Sequence, residues 1–378
     1  MILSFSLSLS LSHTHTHTLT STTGTTTTTD GEFKHVRSSH EEDYEFMTIA
    51  WQVLSDLALR SEACRKHVRS SKFLKILLAY VDVLESSLMS TSTRRSLMSD
   101  VPVVFARARM RELKIQALEI LYESLTWGLQ DVVVKYDAVR IITNFVNTFL
   151  SDEEEEEEKE DNIRDESVST GLQLLVALSQ DSSTHKVLVK NGCVSLATNI
   201  CTRGRESVVS MEWGTMLLSQ ICARNADAKS EFKSLNGVQF FVDFLKNSLD
   251  GMVLPEVLIG SIVSLLWSAI LGNQELEKEF FDREGPKVLL DLLDSCPRFM
   301  RNIVSGFLAD LAKSNQDASF FYNLWRSPQT GRTLHQRLVE FWLQEETRLG
   351  VSRKKQGQIN NLKYPATESV DGMCAPSL

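Results

Sequence analysis

Along the second half of the chain the apolar and polar positions fall into a block that recurs about every 45 residues. Each block has an apolar stretch ending in a Leu pair, then a polar Asn or Asp, an apolar anchor, a Gly and a second apolar stretch. The first copy has Leu174 and Leu175, Asp181, Val187, Gly192 and the run 194–200. In the second, Leu217 and Leu218 lead to Asn225, Phe232, Gly237 and FFVDFL; in the third, Leu265 and Leu266 lead to Asn273, Phe280, Gly285 and VLLDLL. Anchor and Gly are five residues apart in every copy, and Asn and Gly are twelve apart in the last two.

This spacing predicts two helices joined by a short docking segment. The Asn or Asp satisfies free backbone groups or caps the next helix. The aromatic anchor enters the core. Gly237 and Gly285 are expected at a sharp turn with positive φ, where a residue without Cβ pays no steric penalty. The second helix is apolar on nearly all sides, so neighbouring units must cover it. One unit cannot bury that much surface alone, and the expected fold is therefore an all-α solenoid of the armadillo or HEAT kind.

Helical spacing in the first half is weaker. It predicts helices over 46–59, 73–84, 104–128 and 132–150, with a polar loop at 86–102. A last unit is expected from Asn302 through Asn315 and Phe320 to Trp342. The domain reading is a low-complexity disordered tail at 1–42, degenerate helical repeats at 43–150 and an acidic disordered loop at 151–167. Armadillo-like repeats follow at 168–349 and an irregular tail at 350–378. The SLSLSLSLS and HTHTHT strings of the first 30 residues are what dinucleotide repeats give when translated, which also accounts for His13, His15 and His17.

The net charge of −9 changes meaning once it is located: DEEEEEEKED at 152–161 carries nine acids against one Lys. The remainder is near neutral, with no global field of the kind nucleic acid demands. The longest apolar stretch, 257–271, is shorter than the ~18–20 residues that span a bilayer. Six scattered cysteines form no CxxC pair and are expected as buried reduced thiols.

Catalytic signatures are missing from the sequence: there is no phosphate-cradling glycine loop, no GxSxG, no HExxH and no EF-hand loop. His67, His185 and His335 fall in unrelated units and are expected at the surface. Asp243 and Asp291 occupy the same place in two copies, which predicts a structural hydrogen bond. No catalytic, cofactor or metal residues are expected. Arg94, Arg95, Arg107, Arg109, Arg111 and Lys114 form a basic cluster, within which Arg107, Arg111 and Lys114 share one helix face. The expectation is either a docking patch for an acidic partner or a solvated face. No aromatics interleave with it, as binding of a single nucleic-acid strand would require.

PEVLIGSIVSLLWSAILGNQELEKEFFDREGPKVLLDLLDSCPRFMRNIVSGFLADLAKS (255–314) resembles the cilia- and flagella-associated protein 69 family, as does FWLQEETRLGVSRKKQGQI (341–359). The resemblance covers 46–359. It implies a structural armadillo protein of motile cilia and sperm flagella, associated with the axonemal central apparatus, with axonemal proteins as partners and no cofactor. The family runs on past the RKKQGQI segment and begins earlier, so a fragment or truncated isoform is expected. The competing reading is a cytoplasmic peptide-binding adaptor of the importin or catenin kind. Trp267 stands six residues before Asn273, and Trp51 and Trp213 have Ser55 and Leu217 four residues on, so the Trp–Asn ladder is absent, which counts against a nuclear-signal receptor but not against other peptide binders.

Overall fold

A computed structural model describes residues 41–70, 73–82, 103–151, 158–203, 207–251 and 254–359. The early helices are α1 (Glu41–Arg60), α2 (Glu62–Ser70), α3 (Phe73–Val81), α4 (Val103–Thr126), α5 (Gln130–Lys135) and α6 (Ala138–Ser151). The next unit is α7 (Glu158–Ser179), a 3-10 turn (Ser182–Thr184), α8 (His185–Lys190) and α9 (Cys193–Thr202). Two further units are α10 (Val208–Cys222), α11 (Ala226–Ser234), α12 (Gly237–Leu249), and α13 (Glu256–Ile270), α14 (Gln274–Asp282), α15 (Gly285–Ser295). The array ends in α16 (Arg298–Ser314), α17 (Ala318–Leu324) and α18 (Leu334–Arg348). Among the described residues there is no β-strand, only isolated bridges at Arg326–Thr333 and Arg353–Ile359.

The long helices α1, α4, α7, α10, α13 and α16 each pack along the next, forming one ladder. The second helices are joined less tightly, with α9 reaching α12 through α11. The long helices make the more continuous side of the stack, the inner face of the array.

The joint between the short helix and the second helix repeats four times. One residue there has left-handed backbone: Asp137 (φ 62°), Gly192 (φ 74°), Asn236 (φ 56°) and Glu284 (φ 57°). The expectation of positive φ at Gly237 and Gly285 is thus corrected: each follows the left-handed residue and opens its helix. Their lack of a side chain serves a close approach. A Cβ on Gly237 would lie 2.3 Å from the Phe232 ring, and one on Gly285 2.2 Å from Phe280.

In this register the first copy shifts by one residue. Cys193 matches Gly237, and the buried anchor is Leu188, whereas Val187 is only partly covered. A fourth copy appears as Val133 and Ala138, both fully buried. The aromatic anchors Phe232 and Phe280 are each followed five residues on by glycine, whereas the smaller Val133 and Leu188 are followed by Ala138 and Cys193. A ring takes up the space that a side chain at the facing position would need, as close packing demands. The helix expected over 132–150 is accordingly broken at Asp137 into α5 and α6.

Helix starts are satisfied as the polar positions suggest. Asn225 Oδ1 accepts from the Asp227 and Ala228 amides at 2.9 and 3.1 Å. Asn273 does the same for Glu275 and Leu276, both at 3.1 Å. Four residues further on, each unit buries a polar side chain against a backbone group. His185 Nε2 meets the Ser179 carbonyl at 2.8 Å, Lys229 Nζ donates to the Leu271 carbonyl at 2.6 Å, and Glu277 accepts from the Gly272 amide at 3.2 Å. His185 is therefore buried rather than at the surface.

Other expectations are corrected at the edges. Residues 158–167 of the expected acidic loop belong to α7, and Ser167 is fully buried. Glu is a good helix former, and carboxylates at a helix N-terminus are favoured by its dipole. Phe320 is 63% exposed and is not an anchor. Residues 350–359 are tied down: the Val351 amide donates to the Glu346 carbonyl at 2.8 Å, and Arg353 Nε to its carboxylate at 2.7 Å. The expected tails at 1–40 and 360–378 and the loop at 86–102 lie outside the described residues.

Two stability measurements test the joint. Gly237→Ala should cost about 1–3 kcal/mol by overpacking against Phe232, and adding Phe232→Leu should recover part of it; strict additivity in urea unfolding would refute the contact. Glu284→Gly should raise stability by about 0.5–1 kcal/mol by relieving left-handed strain; a loss would show that the side chain contributes more than the strain costs.

Candidate functional site: the inner face of the array

The inner helices share a register set by what they bury. Ser167, Val168, Gly171, Leu172, Leu174, Leu175, Leu178 and Ser179 of α7 are covered. The matching set in α10 is Ser210, Met211, Gly214, Thr215, Leu217, Leu218, Ile221 and Cys222. In α13 and α16 the same positions include Leu258, Ile262, Leu265, Leu266 and Ala269, and Met300, Val304, Phe307, Leu308 and Leu311. With the core face fixed, the other positions align across units as columns on the inner face.

One column runs Glu166, Val209, Val257, Phe299. All four are exposed, the last three at 50%, 61% and 55%. The row on α10 continues with Trp213 and Met216, and that on α16 with Ile303 and Gly306. Between them α13 presents Ser261, Ser264 and Ser268, small residues flanked by larger apolar ones. Ser264 Oγ donates to the Gly260 carbonyl at 2.9 Å and Ser268 Oγ to that of Ser264 at 2.7 Å. Ser219 on α10 meets Ser268 Oγ at 2.9 Å, tying the rows together. Trp267 lies against Gly306, where a Cβ would be 2.6 Å from the ring, and stacks on Phe307 with centroids 6.1 Å apart.

Toward α4 the same face turns acidic. Burial, with Glu166 and Glu123 nearby, pushes the Glu119 carboxyl above its ordinary range. Ser55 donates to Glu123.

The basic helix face expected as a docking patch is buried at two of its three positions. Arg111 is only 2% exposed, with its guanidinium 5.0 Å from the Phe149 ring centroid, and Lys114 is also buried. A cation over an aromatic ring is held by the ring's quadrupole, so this helix face is an inter-helix contact. The side chains of Arg107 and Arg109, with Arg94 and Arg95, lie outside the described residues. The signal that sequence reasoning missed is Phe149, which offers the guanidinium a ring instead of water.

A cleft of about 430 Å³ lies between α12, α15 and the turn before α18, lined by Lys246, Asp250, Lys287, Asp291, Pro328 and Gln329 among others. Its charges are of both signs and partly committed. Asp291 accepts from Trp325 Nε1 at 2.7 Å, and the adjacent Asp294 from Ser327 Oγ at 2.6 Å and Arg337 Nε at 2.5 Å. This is a joint that fastens the last helix, completed by Arg301 and Arg337 at 4.1 and 4.7 Å from the Phe341 ring. Asp291 thus holds a structural bond; its counterpart Asp243 lies 4.0 Å from Lys246.

Among the described residues no three His, Cys, Asp or Glu side chains come together as a metal cluster, and no helix is long and apolar enough to cross a membrane. Cys193, Cys201 and Cys222 are buried, which pushes each thiol up to about 12.

Repeated three-helix units with capped short helices, stacked on a shared inner ladder, define an α-solenoid of the armadillo class. The chain belongs to the cilia- and flagella-associated protein 69 family, whose ARM-repeat profile matches residues 28–373. Cilia- and flagella-associated protein 69 of Homo sapiens is 27% identical over 204 residues, covering 50% of this chain and 21% of the relative. That of Callithrix jacchus is 30% identical over 155 residues, covering 40% and 16%. The Mus musculus protein is 26% identical over 208 residues, covering 51% and 22%. These matches span about a fifth of the relatives' length. An engineered protein of known crystal structure shares the fold, at TM-score 0.51 and 12% identity over 73% of this chain and 95% of that one. A designed armadillo repeat protein gives 0.47 and 13%, over 75% and 95%.

The thiols provide the check on this core. At pH 8 Cys193, Cys201 and Cys222 should stay protonated and resist iodoacetamide until the chain unfolds, because only the thiolate reacts. Rapid alkylation of any of the three in the native protein would show that its unit opens locally.

Proposed function

We propose that this chain, within its parent protein, is a non-enzymatic scaffold of motile cilia and sperm flagella. It binds other axonemal proteins, those of the central apparatus among them, and supports motility by holding them in place. The observation that carries this reading is the family match across 28–373, whose relatives are named for cilia and flagella. The residue-level picture agrees with it. His185, Lys229 and Glu277, buried in successive units, hydrogen-bond backbone, and side chains left exposed on the long helices fall into columns repeated from unit to unit. Such a surface suits binding by many modest contacts along an array.

A tagged full-length parent expressed in cells building motile cilia should concentrate in the axoneme and resist detergent extraction. A diffuse cytoplasmic distribution in ciliated cells would overturn the ciliary assignment.

A further inference from the structure

We propose that the outward face of α18 is a two-fold contact on which a second copy of this chain docks, with the two α18 helices antiparallel. The pair is centred on position 341, so that Val339 of one copy meets Leu343 of the other. This contact goes beyond the scaffold reading and stands or falls apart from it.

α18 is apolar on two sides. Leu334 and Phe341 face the array, where Arg337 reaches Asp294 and Arg301 lies over the Phe341 ring. On the opposite side Val339, Trp342 and Leu343 are 58%, 66% and 48% exposed, with Leu338 beside them at 41%. Residues three and four apart share a helix face, so 339, 342 and 343 form one stripe. Four large apolar side chains together in water mark an interaction surface, which scattered single ones do not.

The stripe is ordered before anything docks on it. Trp342 Nε1 donates to Glu346 Oε1 at 2.6 Å, and Arg353 Nε donates to the other oxygen of that carboxylate at 2.7 Å. Arg353 is anchored in turn on the Gly357 carbonyl at 2.5 Å. The fold-back at 350–359 thus fixes the Trp342 ring. With its one polar atom already bonded, the ring offers a partner apolar surface alone. A side chain already held in place loses little freedom on docking.

Symmetry points to the occupant. A two-fold contact sets a patch against its own image, so the patch must complement itself. About position 341 it does: 339 and 343 exchange places, and the polar positions His335 and Gln336 fall opposite Thr347 and Glu346. The two Trp342 rings come to the same side of the pair, about 3 Å apart along the axis and within stacking reach. The exposed outward positions 335, 336, 339, 342, 343 and 347 hold no Asp, Glu, Lys or Arg, so pairing them strips water from no formal charge. A parallel pair would align the helix dipoles and set Arg348 beside Arg348; the antiparallel pair opposes the dipoles. The sequence at 360–378, broken by Pro365 and Pro376, has no apolar pattern at helical spacing to match the stripe. Four apolar side chains per copy make a small interface, with an expected dissociation constant on the order of micromolar.

Sedimentation of the whole chain between about 1 and 200 μM should show the mass climbing from monomer toward dimer. Val339→Asp and Leu343→Asp, at exposed sites where the fold should tolerate change, should each weaken association about tenfold or more. Because 339 faces 343 across the two-fold, Val339→Asp combined with Leu343→Lys should recover part of it, less so as salt rises. Val339→Asp combined with Leu343→Asp should recover none. In a mixture of isotopically light and heavy chains, a photoreactive residue at 339 should give light–heavy cross-links to α18.

A chain that stays monomeric over that range would overturn the proposal. So would a dimer indifferent to both Asp substitutions while the helical signal and melting point are unchanged, or an Asp–Lys combination that recovers nothing. Cross-links confined to light–light and heavy–heavy pairs would overturn it by assigning the stripe to the chain's own residues. Light–heavy cross-links from 339 to α1 would overturn it in favour of head-to-tail stacking.

Discussion

The contact on which this array depends is the approach of each anchor side chain to the first residue of the helix that follows it. Phe232 fills the space that a Cβ on Gly237 would occupy, and Phe280 does the same at Gly285. Because the anchor sits on the short helix and its counterpart opens the second one, this contact fixes the angle between them. That angle in turn sets how the second helix meets the next unit. Phe280 also stacks on Phe307 at 5.6 Å, so the joint of one unit continues into the inner helix of its neighbour. Only a left-handed residue lets the chain reverse tightly enough to bring anchor and counterpart together, and Glu284 and Asn236 accept that conformation despite carrying a Cβ.

Stacking solves the burial problem and creates a second one, since the ends of the inner helices are covered along with their side chains. A covered carbonyl or amide without a partner costs about 1–3 kcal/mol. The residue four positions after each cap meets this need with whatever donor or acceptor the local backbone lacks: His185 and Lys229 toward carbonyls, Glu277 toward an amide. Burial lowers the Lys229 pKa, yet the Leu271 carbonyl it reaches belongs to the next unit. Three chemically different side chains thus do one job. The last helix is fastened differently, by Arg337 on Asp294 and by two guanidinium groups against Phe341.

Function follows from what this packing leaves over. The second helices α9 and α15 bury most of their side chains in the core, and the short helices supply the anchors and caps of the joints. The inner helices bury one face and leave the other free to vary from unit to unit. Variation there is graded, from carboxylates on α4 and α7 to apolar residues on α10, α13 and α16.

The sequence alone determined the fold class, the order of the units and the caps, because the forces responsible are local. Helical periodicity, an Asn at a helix start and a five-residue anchor spacing act within one or two turns, and Asn225, Asn273, Phe232 and Phe280 sit as their spacing implies. Only the tertiary structure decided which residue takes the left-handed conformation, since Gly192, Asn236 and Glu284 share no side-chain chemistry. It also decided that Leu188 and not Val187 is the first copy's anchor. The fate of Arg111 was likewise illegible: a helix face of Arg and Lys reads as solvated until Phe149, on a helix that packs beside it, supplies a ring. The inner column shows the same limit, because Glu166, Val209, Val257 and Phe299 become neighbours only when the core positions of four helices are superimposed. Periodicity reports which face of a helix is buried, but which residues meet across the array depends on partners tens of residues away.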